Sequence, residues 1–213
     1  MNNLHSTRRD FVKSGSLLSA GTLLSAPHIA KAAKDDKVLK IGLVGIGGRG
    51  SGAAAQAMGA DENVALTAIG DLFEDRISLR SRILQARGRD KYQVTPETTF
   101  SGFDAYKKVI DSGVDVVILT SPPAFRPEHL AYAVEKGVHC FFEKPVAVDA
   151  PGVRKVIDLA KKAKEKKLGF MSGFCWRHHY PKQEIFKRIQ DGALGDLRAM
   201  YSTYNGGEVW KKT

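Results

Sequence analysis

The sequence predicts an α/β fold: a doubly wound, mostly parallel sheet, followed by the first elements of an α+β C-terminal domain. Three observations predict it. From Val38 onward, short β-branched runs alternate with longer segments at helical spacing, the order that builds a parallel sheet with helices on both faces. The first, third and fourth of these runs are nearly continuously apolar, as strands covered on both faces are. A glycine-rich turn follows the first of these runs directly, and after Ser172 the alternation stops.

In order, strands are expected at 38–44, 64–69, 114–120, 138–142 and 168–172, where Val, Ile, Leu and Phe cluster between turn residues. Helices are expected at 50–58, 72–86, 106–112, 127–136 and 151–167. Pro127 and Pro151 stand near helix starts, where a missing N–H is no loss, and Gly113 and Gly137 stand just past helix ends. The stretch "GRDKYQVTPETTFSGF" (88–103) holds a loop and one short strand. Beyond the sheet, "PKQEIFKRIQDGALG" (181–195) reads as one more amphipathic helix and "DLRAMYSTYN" (196–205) as a new strand. A single strand cannot bury its face alone, so the second domain is only begun.

The chain of 213 residues is 43% hydrophobic and 26% charged, a composition with room for one full core. Residues 1–33 differ from the rest. Arg8-Arg9 with Phe11 and Lys13, an apolar run at 17–26 and the triplet Ala30-Lys31-Ala32 follow the basic, apolar, small-x-small order of a secretory signal. The run is too short to span a membrane: at about 1.5 Å per residue it reaches half of a ~30 Å hydrocarbon core. The arginine pair resembles a twin-arginine signal, so the expectation is export in the folded state through the Tat machinery to a periplasmic or other extracytoplasmic location, with no membrane association after processing. Domain boundaries follow at 1–33 for the signal, 34–175 for the sheet domain and 176–213 for the connecting helix and first strand of the second domain.

The formal charge of +10 falls to +7 without residues 1–33, which hold four of the Lys and Arg residues and one Asp. Much of the remainder lies in "KKAKEKK" (161–167), a solvated helix end. Basic residues are not interleaved with aromatics, which argues against a nucleic-acid partner. Cys140 and Cys175 are read as free core thiols, since folding before export takes place in a reducing compartment.

The chemistry sits in four places. "GLVGIGGRGSG" sets Gly45, Gly47 and Gly50 at GxGxxG spacing between a strand and a helix, with Gly48 and Arg49 inside it. The first glycine makes the tight turn, the second lets backbone approach a pyrophosphate, and the helix start offers N–H groups to it. Asp71 closes the second strand 21 residues after Gly50, where an acid accepts from the adenosine ribose of NAD and repels the 2′-phosphate of NADP. Arg49 and Arg76 lie near enough in sequence to pair with such a phosphate, and Asp71 is equally placed to cap the helix that follows. The third strand ends in Thr120-Ser121-Pro122-Pro123 and the fourth in Glu143-Lys144-Pro145. Both ends share the carboxyl edge of a parallel sheet with the glycine loop, and that edge lets the Lys144 ammonium stay hydrated while its stem covers the strand end.

The succession of GxGxxG, an acid, Ser-Pro-Pro followed by "PEHL", and "EKPVAVD" resembles the Gfo/Idh/MocA oxidoreductases, from about residue 38 to residue 205. Together with "RHHYPKQEIFKRIQDGALGDLRAMYSTYNGG" it is most similar to the exported branch acting on sugars or cyclitols. The resemblance implies a Rossmann domain holding NAD, a homo-oligomer at full length, and hydride exchange between nicotinamide and a carbinol carbon. It implies that Lys144 is the catalytic residue, meeting the substrate hydroxyl, on a Lys144-Pro145 peptide that is often cis. Ser121, Pro122, Arg126, His129 and Glu143 would line the nicotinamide half of the site. For His129 the sequence alone equally supports a structural histidine near a helix start. Arg177, His178, His179 and Tyr180 follow the last strand and are candidates to face a sugar or polyol. The His-His pair has no third ligand in sight, so no metal is expected. The family also implies an acid and a histidine further along the second domain, which this chain does not contain. An NAD-dependent glycosidase that oxidises its sugar transiently, and a non-catalytic NAD-binding protein, are alternatives of the same fold.

Overall fold

The computed structural model describes residues 37–207, so the expected signal at 1–33 lies outside the described residues. Six strands form one sheet: β1 (Leu39–Val44), β2 (Val64–Asp71), β3 (Thr99–Ser101), β4 (Val116–Leu119), β5 (His139–Phe142) and β6 (Phe170–Ser172). Their order is β3-β2-β1-β4-β5-β6 and every pair is parallel. The chain therefore winds outward from β1 to one edge, returns to β4 beside β1, and winds to the other edge.

Helices α1 (Gly48–Ala60), α2 (Glu74–Gly88), α3 (Ala105–Asp111), α4 (Arg126–Lys136) and α5 (Ala150–Glu165) connect the strands. The period-2 alternation of strand side chains divides the core into two. Ile41, Leu43, Leu66, Ile69 and Ile118 pack with Ala53, Ala54 and Met58 of α1 and Ile77 and Leu84 of α2. On the other face, Val44, Val117, Leu119 and Phe142 pack with Val109, Leu130, Val134, Val156 and Leu159 from α3, α4 and α5.

Turn chemistry places the helix ends. Asp149 caps α5, its side chain accepting from Gly152 N at 2.7 Å, and Gly137 closes α4 at φ 75°. The basic run at 161–167 does more than face solvent. Lys166 Nζ donates to the carbonyls of Val134 (2.8 Å) and Glu135 (3.0 Å), satisfying the last turn of α4.

The expected short strand in 88–103 is β3, set between 3-10 turns at Arg89–Lys91 and Pro96–Thr98 and the loop into α3, and paired with β2 through Ile69, Gly70 and Asp71. Two expectations are corrected. Residues 196–205 form no strand: they run exposed with no ladder partner among the described residues, and a lone segment has no neighbour against which to bury a face. Cys175 is exposed, in a 3-10 turn at Cys175–His178, and only Cys140 is a core thiol. Burial pushes the Cys140 thiol up to about 12, leaving it inert. The last helix, α6 (Tyr180–Gln190), buries none of its residues. No helix among the described residues is long and apolar enough to cross a membrane.

Candidate active site

Because all six strands run the same way, their carboxyl ends meet along one edge, and the reversal of strand order between β1 and β4 opens a cleft there. The cleft encloses about 610 Å³. Gly45, Gly47, Arg49 and Asp71 line one part of it, and Ser121, Pro122, Arg126, His129, Glu143 and Lys144 line another. Residues nearly a hundred positions apart are thereby brought together.

The glycine loop has the geometry a dinucleotide requires. Gly45 holds φ +90°, and a Cβ there would stand 2.7 Å from Ser121 N. A Cβ on Gly50 would come within 1.9 Å of the Gly45 carbonyl, so this glycine serves the packing of α1 against the loop rather than the cleft itself. Gly47 and Gly48 are the opposite: nothing lies within 4 Å of a Cβ on either. The cap residue of α1 is Gly47, with no side-chain cap, and its first turn carries no acid. The open backbone and unpaired N–H groups at this helix start fit a pyrophosphate.

Asp71 is 7% exposed and does not cap the next helix, as α2 begins only after Phe73. Its Oδ2 accepts from Ile46 N at 2.8 Å and its Oδ1 from Phe73 N at 3.1 Å. The carboxylate thus ties the glycine loop to the end of β2, and its remaining lone pairs are available to a ribose. Arg76 lies over the Phe73 ring, 4.9 Å from the centroid, and both line the cleft beside Asp71.

On the other side, Arg49 Nε donates to Glu143 Oε1 at 2.7 Å, linking the glycine loop to the end of β5. Lys144 is exposed at the rim, and its peptide to Pro145 is cis. His129 is buried, stacked on Tyr106 with centroids 4.0 Å apart, and shares a hydrogen bond of 3.1 Å between Nδ1 and Ser121 Oγ. Burial, reinforced by the Arg126 cation, lowers its pKa to about 4, so at neutral pH it orients Ser121 as a neutral ring.

That shift has a consequence for stability. The unfolded chain takes up the histidine proton near pH 6.5 and the folded one only near 4. Between those values the unfolded state binds more protons, so stability falls as pH falls, by up to about 3 kcal/mol from this group. Denaturant titrations across pH 4 to 7 should show this slope, and His129→Asn should reduce it.

Arg177, His178, His179 and Tyr180 do not line the cleft; they are exposed, on the 3-10 turn and the start of α6. Sequence reasoning missed the aromatic wall of Phe73, Phe103, Tyr106 and Phe125. Their signal was available: Phe73 and Phe103 each stand two residues past the end of a strand, β2 and β3. Among the described residues, no group of three His, Cys, Asp or Glu side chains is placed to hold a metal ion.

A sheet in the order 3-2-1-4-5-6, with its cleft at the reversal and an open glycine loop on the β1 side, defines a dinucleotide-binding Rossmann domain. Residues 39–170 match the family model for GFO_IDH_MocA, the oxidoreductase family with an NAD-binding Rossmann fold, and the chain belongs to that family. An inositol 2-dehydrogenase/D-chiro-inositol 3-dehydrogenase of Lactiplantibacillus plantarum is 32% identical over 161 residues, covering 74% of this chain and 41% of the relative. A glycosyl hydrolase family 109 protein of Streptomyces coelicolor is 25% identical over 169 residues, 78% of this chain and 34% of the relative. In fold, the chain is similar to the scyllo-inositol dehydrogenase of Lactobacillus casei solved with NAD(H) and scyllo-inositol: TM-score 0.61, 22% identity, 75% of this chain and 43% of that one. The chain spans less than half the length of these relatives.

Proposed function

We propose that the protein transfers a hydride between NAD and a carbinol carbon of a sugar or cyclitol, with Lys144 as the acid/base group. The observation that carries this reading is a single cleft bounded by the open glycine loop and by Lys144, in a chain of an oxidoreductase family. When bound, the nicotinamide supplies the hydride acceptor or donor. The chain's own residues do the rest. The α1 start holds the diphosphate, and the acid Asp71 beside the cleft favours NAD over NADP. The neutral Lys144 amine accepts the hydroxyl proton during oxidation, becoming the ammonium, and the ammonium returns that proton during reduction. Ser121 and His129 shape the floor of the nicotinamide half. An acid and a histidine from a second domain complete the set, and the full-length protein assembles as a homo-oligomer.

The direct test is NADH formation from a panel of polyols and cyclitols by the purified protein. A protein that binds NAD tightly yet exchanges hydride with none of them would be a binding protein instead. The similarity to glycosyl hydrolase family 109 proteins, which include one of Shewanella sp. strain ANA-3 at 25% identity over 211 residues, favours a second reading. In it the same hydride step is transient and permits elimination of an aglycone. Release of free sugar from a glycoside, without net NADH, distinguishes it.

We further propose export by the twin-arginine route, on the strength of Arg8-Arg9 and the apolar run and Ala-x-Ala triplet that follow. Replacing both arginines by lysine should leave an unprocessed precursor in the cytoplasm, whereas the native sequence should give a processed extracytoplasmic form. Unaltered processing and fractionation of the double variant would rule the route out.

A further inference from the structure

Arg126 has the largest fully buried side chain among the described residues, at 1% exposure. Burying a guanidinium is strongly unfavourable unless its donors are used, and the use here is specific. Nη1 donates to the Pro145 carbonyl and Nη2 to the Ser121 carbonyl, while Nε has no partner. Both acceptors are main-chain atoms. One belongs to the turn that ends β4, the other to the turn that ends β5, and these strands are neighbours in the sheet.

The guanidinium is planar and its donors are fixed in a fork, so two carbonyls bound to one fork are held at a set separation. Arg126 is itself held, as the first residue of α4 with its backbone N donating to the Pro123 carbonyl at 3.3 Å. Around Lys144 other ties are few: Glu143 N donates to the Leu119 carbonyl at 3.0 Å, and Pro145 has no N–H to give. Glu143 supplies the opposing charge while also pairing with Arg49.

We propose that Arg126 is a positioning residue: its buried fork clamps the Ser121 turn to the Lys144-Pro145 turn and so sets where Lys144 stands in the cleft. The consequence for turnover rests on the reading of Lys144 as acid/base group; the clamp itself does not. Arg126 acts on the backbone that carries Lys144, not on substrate or cofactor.

Amide hydrogen exchange on the 213-residue chain, free of NAD, tests the clamp. In Arg126→Ala, exchange at Glu143 and Phe125, whose N–H groups donate to the Leu119 and Pro122 carbonyls beside the two clamped turns, should quicken at least tenfold, while amides in the core of α5 keep their rates. Added guanidinium ion should restore protection, and methylammonium should not, because only the planar fork bridges both carbonyls. If the alanine variant does not fold, Arg126→Lys carries the test: one ammonium keeps the charge but not the fork, so the same amides should lose protection. Turnover in the protein should show kcat down about a hundredfold, with KM for the polyol and NAD affinity changed less than threefold. Unchanged exchange at these amides in a folded variant would overturn the proposal, as would a loss confined to NAD affinity. A wild-type protein that turns over no polyol would instead remove the reading of Lys144, with exchange still deciding the clamp.

Discussion

Replacing Lys144 by Met is expected to lower kcat about 10²- to 10⁴-fold, the range that a positioned proton-transfer group contributes, with NAD affinity little changed. The expectation follows from where the side chain sits. Lys144 is exposed at the rim of the cleft, on a turn whose backbone is held from below by the Arg126 side chain, so removing its ammonium leaves no buried partner stranded. Methionine keeps the length and apolar stem, so the strand end stays covered. Thermal unfolding should therefore be unaffected, which separates a chemical loss from a structural one. Steady-state kinetics on the best polyol, with NAD binding measured directly, is the check. Near-normal turnover with retained NAD binding would remove the acid/base assignment.

The second large effect divides two glycines that a motif treats alike. Gly50→Ala places a methyl 1.9 Å from the Gly45 carbonyl and 2.5 Å from Thr120 Oγ1. Neither backbone nor the short Thr120 side chain can withdraw, so we expect destabilisation of about 1–3 kcal/mol or more from overpacking, with loss of NAD binding as the loop is displaced. Gly47→Ala meets nothing within 4 Å, and its φ of −60° suits any residue. Its stability should stay within about 0.5 kcal/mol of the parent, yet its NAD affinity should fall more than tenfold, since the methyl occupies space the diphosphate needs. Denaturant unfolding and NAD titration on both variants give the two-by-two result. Equal losses of stability would contradict the loop geometry.

The contrast shows what a sequence pattern can and cannot say. GxGxxG spacing located the loop and the class of ligand it suits, but the same letter serves close packing at Gly50 and open approach at Gly47. Which is which depends on how the loop folds back, bringing the Gly45 carbonyl, and Thr120 from the turn after β4, against Gly50. Asp71 is similar. Its place at the end of β2 was legible, but its bond to Ile46 N arises only when loop and strand end meet. The strand expected at 196–205 failed for the converse reason: apolar alternation is local, and a ladder needs a neighbour that the described residues do not offer it.

Apolar runs, helical spacing and well-placed Gly and Pro were enough to mark five of the six strands, the five connecting helices and the edge on which the chemistry lies, because each acts within a few residues of itself. The assembled sheet alone decided that Arg49 meets Glu143 across 94 positions, that the Arg126 fork joins two turns, and that His129 stays uncharged. Such contacts depend on distances between strand ends and on exclusion of water, and neither exists until the two faces of the sheet are covered.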